Sequence, residues 1–245
     1  MNRQGARAWL KRRPMARDQL SSYLKSLPSN RLRADEIAVV SLRDAITSGV
    51  LVPGEEIDED AVALDLSLSR MPVRQAMSVL EAEGLVEKPY RRRVRVRELT
   101  RDQIVEIYHM RSRLEGLAAE RAVPNLADAD TERIGATLQE IERVGDDLAA
   151  FSRLNLEFHL AIYRCSGWSV LESEIHRLRN TVASYIAVSH RFVSYLPQAS
   201  GDHRDIYEAC TARDAARARK ETEAHVLRAM EALLGSLDVA EGAPR

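Results

Sequence analysis

The sequence predicts a mainly α protein: an N-terminal winged helix-turn-helix with a small β-hairpin wing, then a C-terminal antiparallel α-helical bundle. Three observations lead there. Ala, Leu, Arg and Glu are plentiful, while 11 Gly, 8 Pro and 5% aromatic residues are few for 245 positions, a mix that favours helix over sheet. Residues 31–98 carry three short helical patterns, then two strand-like runs. Residues 99–235 carry helical patterns only, broken at Pro124, Gly167, Pro197 and Gly201.

Four segments follow in order. Residues 1–30 hold Arg3, Arg7, Lys11, Arg12, Arg13 and Arg17 with little apolar periodicity. They read as a basic mobile tail, either solvated or acting as an arm on phosphates. In residues 31–98, Asp35 caps a helix reaching about Ser48, with Ile37, Val40, Leu42 and Ile46 as apolar positions and Gly49 as the stop. Leu51-Val52-Pro53-Gly54-Glu55 is a turn, and a second helix covers about Glu59 to Leu66. After Ser67-Leu68, Ser69 caps a third helix whose Pro72 is tolerated in the first turn and which ends near Gly84. Leu85-Val86-Glu87 and the run through Val94 and Val96 form a hairpin. Helices over about 101–122, 128–145, 148–165, 169–195, 201–211 and 214–235 build the bundle, and 236–245 is a loose tail.

The overall charge of −1 conceals an asymmetry: residues 1–98 hold 18 Lys+Arg against 14 Asp+Glu, and the remainder 18 against 23. Only the basic half suits a polyanion. No apolar run approaches the roughly 20 residues that span a bilayer, and the Arg-rich start lacks the apolar stretch of a signal peptide. No membrane partner is expected. Cys165 and Cys210 form no metal or redox pattern and read as thiols of a cytoplasmic protein, with a bridge between them as the less favoured alternative.

A recognition helix places polar side chains of its first turn on base edges and phosphates. Ser69, Arg70, Met71 and Arg74 occupy that turn. Arg70 and Arg74 lie one turn apart, and Arg suits guanine O6 and N7. Ser69 can hold a phosphate with the helix N–H groups, while Val73, Met77 and Leu80 face the core. The hairpin holds Arg91, Arg92, Arg93, Arg95 and Arg97, with the odd-numbered members on one face. This is a wing for the DNA backbone or minor groove, or else an edge strand guarded by charge.

Asn155 and His159 are four apart on one helix whose Phe151, Leu154, Phe158 and Ile162 turn that face inward. His203 lies about 12 Å of helix before the turn near Ala212-Arg213, and His225 about 16 Å after it. An antiparallel pair brings them to similar height, so three imidazoles and an amide oxygen can converge on a divalent metal; separately satisfied histidines are the alternative. His109, His176 and His190 fit no ligand pattern.

Pro53-Gly54-Glu55, Ser69-Arg70-Met71-Pro72-Val73-Arg74-Gln75-Ala76-Met77, Leu80 and Glu83-Gly84-Leu85-Val86 together resemble the GntR winged-helix signature. The resemblance implies DNA contacts from Ser69, Arg70 and Arg74. Two positions depart from it: Arg92 stands near the usual wing-tip glycine, and Asp60 near a frequent Arg. Asn155-Leu156-Glu157-Phe158-His159, Asp202-His203-Arg204 and Glu223-Ala224-His225 resemble the metal-binding pattern of the FCD ligand-binding domain of FadR-type GntR regulators. That resemblance implies a helical effector domain that dimerises and holds zinc, nickel or manganese. It also implies a homodimer on an inverted repeat in double-stranded DNA, and repression relieved by effector.

The first ligand is often Asp in that family; the neutral Asn155 predicts weaker metal retention and more reliance on an anionic effector. Arg111, in Met110-Arg111-Ser112-Arg113-Leu114-Glu115, matches an arginine able to clamp a small carboxylate effector, or else pairs with Glu115. An enzyme is the competing class, since three His and an open position can activate water. No His-Glu-x-x-His motif supports it, and Glu157 is the one obvious acid/base nearby. A metal-free regulator with a structural polar cluster is the other alternative.

Overall fold

The computed structural model describes residues 17–26, 33–90, 92–145, 147–189 and 196–242. The expected roles of residues 1–16, Arg91 and His190 lie outside them. Ten α-helices and one two-stranded sheet follow in order among the described residues: α1 (Arg17–Ser26), α2 (Ala34–Thr47), α3 (Glu59–Asp65), α4 (Arg70–Ala82), β1 (Val86–Glu87), β2 (Arg95–Val96), α5 (Arg101–Ala122), α6 (Asp128–Arg143), α7 (Leu148–Arg164), α8 (Ser169–Ser189), α9 (Leu196–Thr211) and α10 (Ala215–Gly242). They form two compact units. One comprises the described residues of Met1–Arg101, Arg177–Phe192 and Leu237–Arg245; the other, those of Asp102–His176 and Val193–Ser236. No helix among the described residues is long and apolar enough to cross a membrane.

The first unit is a winged helix-turn-helix. Its core joins Ala38, Leu42, Ala45 and Ile46 of α2, Val62 of α3, Val73, Ala76, Met77 and Leu80 of α4, and Val86, Val94 and Val96 of the wing. The inward face of α2 is therefore rotated from the expected one: Val40 is exposed and Ile37 only partly buried. The cap of α2 is Arg33, not Asp35; the Glu36 carboxylate accepts the Arg33 N–H at 2.9 Å, which places Asp35 in the first helical turn. Asp58 caps α3 by accepting from Asp60 and Ala61 N–H. The wing strands run antiparallel with Val86 opposite Val96 and Glu87 opposite Arg95.

Residues 17–26, expected in a mobile tail, instead form α1, because Leu24 is an apolar anchor. It is buried in the winged-helix core, and Ser21 donates to Asp65 at 2.9 Å. Tyr185, from the α8 half of this unit, bonds twice to Leu99: its hydroxyl accepts the Leu99 N–H at 2.6 Å and donates to the Leu99 carbonyl at 3.2 Å. Both backbone groups of a buried linker residue are thereby satisfied.

The second unit packs Ala118, Ala119 and Ala122 of α5 with Ile134, Leu138 and Ile141 of α6. Phe151, Leu154, Phe158 and Ile162 of α7 and Ile206, Ala209 and Cys210 of α9 complete the core. Small residues on α5 let helices approach closely; a Cβ at Gly116 would come within 2.5 Å of Glu223 Cγ. Both cysteines are free, and burial pushes the Cys210 thiol up to about 12.

Two helix boundaries differ from expectation, those of α9 and α10. α9 is already helical at Leu196, so Pro197 and Gly201, both expected as breaks, lie within it. α8 is helical throughout its described residues, to Ser189, and the expected stretch from 190 to 195 lies outside them. α10 continues through Gly242 rather than stopping at 235, because buried Leu233, Ser236 and Leu237 continue its inward face. The expected loose tail is thus helical as far as it is described.

Gly84, past the end of α4, has φ +82°, and a Cβ there would lie 2.5 Å from Thr181 Oγ1. Gly84→Ala combines left-handed strain with a clash and is expected to destabilise the protein by about 2–3 kcal/mol. Urea unfolding measures this. Adding Thr181→Ala is expected to recover only the steric part.

Candidate metal centre and nucleic-acid interface

Helix α7 places His159 and Asn155 one turn apart, α9 supplies His203 and α10 supplies His225. The sequence-predicted set converges. His203 Nε2 lies 2.8 Å from Asn155 Oδ1 and 3.2 Å from His159 Nε2, and His159 Nε2 lies 3.1 Å from His225 Nε2. All three histidines are buried, and their candidate donor atoms lie within 4.8 Å of one another. Phe158 packs edge-on against both His159 and His203 and shields one side.

A second layer fixes the rings. The Tyr163 hydroxyl donates to Glu115 at 2.8 Å, so at 3.2 Å its oxygen is placed to accept from His159 Nδ1–H. Asp202 lies 3.1 Å from His225 Nδ1 and accepts from Arg228 Nε at 2.9 Å. Burial raises the Asp202 pKa, but His225 and Arg228 together outweigh it and hold it at about 2. An ionised Asp202 accepts only, so Nδ1 of His225 carries the proton. In neutral rings protonated at Nδ1, Nε2 of His159 and His225 each present a lone pair, 3.1 Å apart and buried. Such an arrangement calls for a cation between them. Donors about 2.1 Å from one ion stand roughly 3.0–3.4 Å apart, matching the His159 contacts. The donor set therefore fits a divalent metal.

Arg111 is not a surface residue. Its side chain is 5% exposed, Nε donates to the fully buried Glu115 at 2.8 Å, and its guanidinium lies 4.5 Å from the Tyr108 ring centroid. Burial opposes its charge, but Glu115 and the neighbouring tyrosines outweigh burial and raise its pKa. Nη1 is buried without a hydrogen-bond partner among the described residues. Glu157 is exposed and ion-paired with Arg153, on the outer side of α7.

Tyr163, Asp202 and Arg228 were not anticipated. Tyr163 sits four residues after His159, so helical spacing alone placed it on that face. Asp202 and Arg228 reach the site through side-chain direction, which spacing does not carry.

In the first unit, α4 presents Arg70, Met71, Arg74, Gln75 and Ser78 outward, opposite buried Val73, Ala76, Met77 and Leu80. Ser69 is the N-cap of α4, yet its hydroxyl makes no capping bond. The wing does not line all its arginines along one exposed face. Arg92 and Arg93 are exposed, but Arg95 is half-buried, donating to Glu87 at 2.6 Å, and Arg97 is partly buried. Alternation around the buried pair Val94 and Val96 turns Arg95 and Arg97 along the sheet surface.

A winged helix-turn-helix joined to a helical unit with a buried histidine cluster defines a DNA-binding transcriptional regulator. The chain belongs to the gntR family of bacterial regulatory proteins: that family's profile matches residues 36–96, and the FCD domain matches residues 106–228. It is 30% identical over 168 residues to the HTH-type transcriptional regulator YdhC of Bacillus subtilis (strain 168), covering 66% of this chain and 70% of that one. To the gluconate operon transcriptional repressor of the same organism it is 31% identical over 156 residues, 61% and 62% of the two chains. The fold resembles that of Escherichia coli McbR/YncC, with TM-score 0.76 at 22% identity over 84% of this chain and 99% of that one. These relatives are transcriptional regulators, not enzymes, and so is this chain.

Two outcomes follow from the buried charges. Glu115→Ala leaves Arg111 buried and unpaired and is expected to cost about 3–5 kcal/mol in urea unfolding. Asp202 titrates below the ordinary value of 3.8, so its contribution is complete above about pH 4 and fades as pH falls toward 2. Asp202→Asn is expected to flatten the stability–pH profile across that window, measured by thermal unfolding in a buffer series.

Proposed function

We propose that the protein is a homodimeric FadR-type repressor that binds an inverted repeat in double-stranded DNA and is controlled by a small carboxylate held at a metal site in its helical domain. The observation that carries this reading is the convergence of His159, His203, His225 and Asn155, with lone pairs opposed inside a domain of a DNA-binding regulator. In this reading Ser69, Arg70, Met71 and Arg74 meet the major groove, and Arg91, Arg92 and Arg93 meet the backbone or minor groove. The exposed first turn of α4 and the free Ser69 hydroxyl support that assignment, as do the exposed Arg92 and Arg93; Arg91 lies outside the described residues.

His159, His203, His225 and Asn155 would hold the ion, which when bound supplies a Lewis acid for a carboxylate oxygen. Zinc, nickel and manganese all accept such a nitrogen- and oxygen-donor set. Four neutral ligands leave the ion's charge uncompensated. The nearest acids, Glu115 and Asp202, are paired with Arg111 and Arg228. An anionic effector is the natural complement, and the unpartnered Nη1 of Arg111 is the donor available to orient it. An effector that binds one arrangement of the helical domain more tightly shifts the population that grips DNA.

The test is metal analysis of untagged protein, followed by operator binding with a panel of small carboxylates. About one ion per chain, lost in His159→Ala, together with a carboxylate response that requires the ion, is the expected result. A full response without metal would instead favour a regulator whose polar cluster is structural. Asn155→Asp adds a charged ligand and is expected to lower the metal Kd at least tenfold, about 1.4 kcal/mol; an unchanged Kd would sink the role given to Asn155.

A further inference from the structure

The start of α3 carries three consecutive acids, Asp58, Glu59 and Asp60, on a domain expected to meet a polyanion. Two of them face arginines assigned to that encounter. Asp60 Oδ1 lies 2.8 Å from Arg70 Nε, with side chains 61% and 74% exposed, and Asp58 Oδ2 lies 3.6 Å from Arg93 Nη1. Exposed pairs of this kind add little to stability, and Asp58 already has a structural task as the α3 cap. Near phosphates, the Asp60 carboxylate opposes binding because it cancels one cation. The α3 dipole favours an acid in its first turn but does not require that acid to touch Arg70, and non-specific affinity gives a reason against the contact.

Geometry supplies a reason for the contact. An unconstrained Arg70 can take a phosphate oxygen or a base edge with equal ease. With the carboxylate against its Nε side, the guanidinium plane is held and the Nη1/Nη2 edge is left open. That edge spans guanine O6 and N7. The same carboxylate repels a phosphate that would otherwise capture the side chain. We propose that Asp60 is a specificity-determining residue: it holds Arg70 for end-on reading of one guanine in each half-site and denies Arg70 to the backbone. The inference rests on α4 being the base-reading helix.

The experiment uses the full chain and its own operator, recovered by selecting genomic fragments, with every half-site position then varied. Wild type, Asp60→Ala, Asp60→Asn and Arg70→Ala are compared at near-physiological salt, and thermal unfolding confirms that each is folded. Arg70→Ala identifies the position that Arg70 reads. At that position Asp60→Ala is expected to reduce the preference for guanine at least about fivefold while binding random duplex more tightly. Its log K against log salt should steepen by about two for the dimer, because one phosphate-seeking cation is released in each protomer. Asp60→Asn keeps an acceptor without the charge, and is expected to steepen the salt slope equally while retaining part of the guanine preference. If Asp60→Ala strengthens binding to all duplexes alike and the guanine preference stays intact, Asp60 is a bystander and the proposal falls alone. If Arg70→Ala changes no base preference at any position, α4 is not reading bases through Arg70, and both readings fall together.

Discussion

Two buried imidazole nitrogens, Nε2 of His159 and Nε2 of His225, face each other at 3.1 Å, and only a proton or a metal ion between them satisfies both. The helical unit is organised around that constraint. Asp202 and Tyr163 stand against the outer ring nitrogens of His225 and His159 and favour their protonation there, which leaves the inner nitrogens turned toward each other. Glu115 anchors Tyr163 and at the same time balances Arg111, so one fully buried carboxylate serves the ring tautomer and the guanidinium together. Small residues on α5 bring these groups within reach. The inner surface of the bundle is thus ordered outward: imidazoles, then the groups that orient them, then the arginines that pair with those groups.

Much of this was legible in the chain because helical spacing is a strong signal. The Asn155–His159 pair and its apolar neighbours share a face by periodicity alone, and the α9–α10 hairpin sets His203 level with His225 through simple rise. The limits of α5 follow from Arg101 and Pro124. What the spacing could not carry was the direction of long side chains. Arg111 was compatible with both a pocket and an ion pair, and it is found in a buried ion pair with part of its guanidinium left unsatisfied. Glycine and proline misled where context outweighed them: Pro197 and Gly201 both lie within α9. Leu24 and Leu237 were legible but overlooked: Leu20, Tyr23 and Leu24 have helical spacing next to an arginine-rich run, and Leu237 continues the face of Leu233.

On the other unit the positive charge is less free than composition suggests. Arg95 is committed to Glu87 and Glu98, Arg70 to Asp60, and Arg93 lies beside Asp58. A count of arginines in the wing overstates the field available to a phosphate, because several are already answered by acids of the same domain. Affinity on such a surface depends on geometry more than on total charge, which suits discrimination between sequences.

The double hydrogen bond between Tyr185 and Leu99 bears on where the chain can be cut and rejoined. The winged helix ends near residue 98 in the linear sequence, yet its compact unit includes a stretch of α8 that arrives some eighty residues later. A chimera that grafts this reader head onto a foreign sensor at the obvious linker would strip Leu99 of both its hydrogen bonds to Tyr185 and remove the Thr181 surface beside Gly84. For this chain the splice junction is therefore discontinuous in sequence: the head and its supporting α8 segment must be moved as a matched pair.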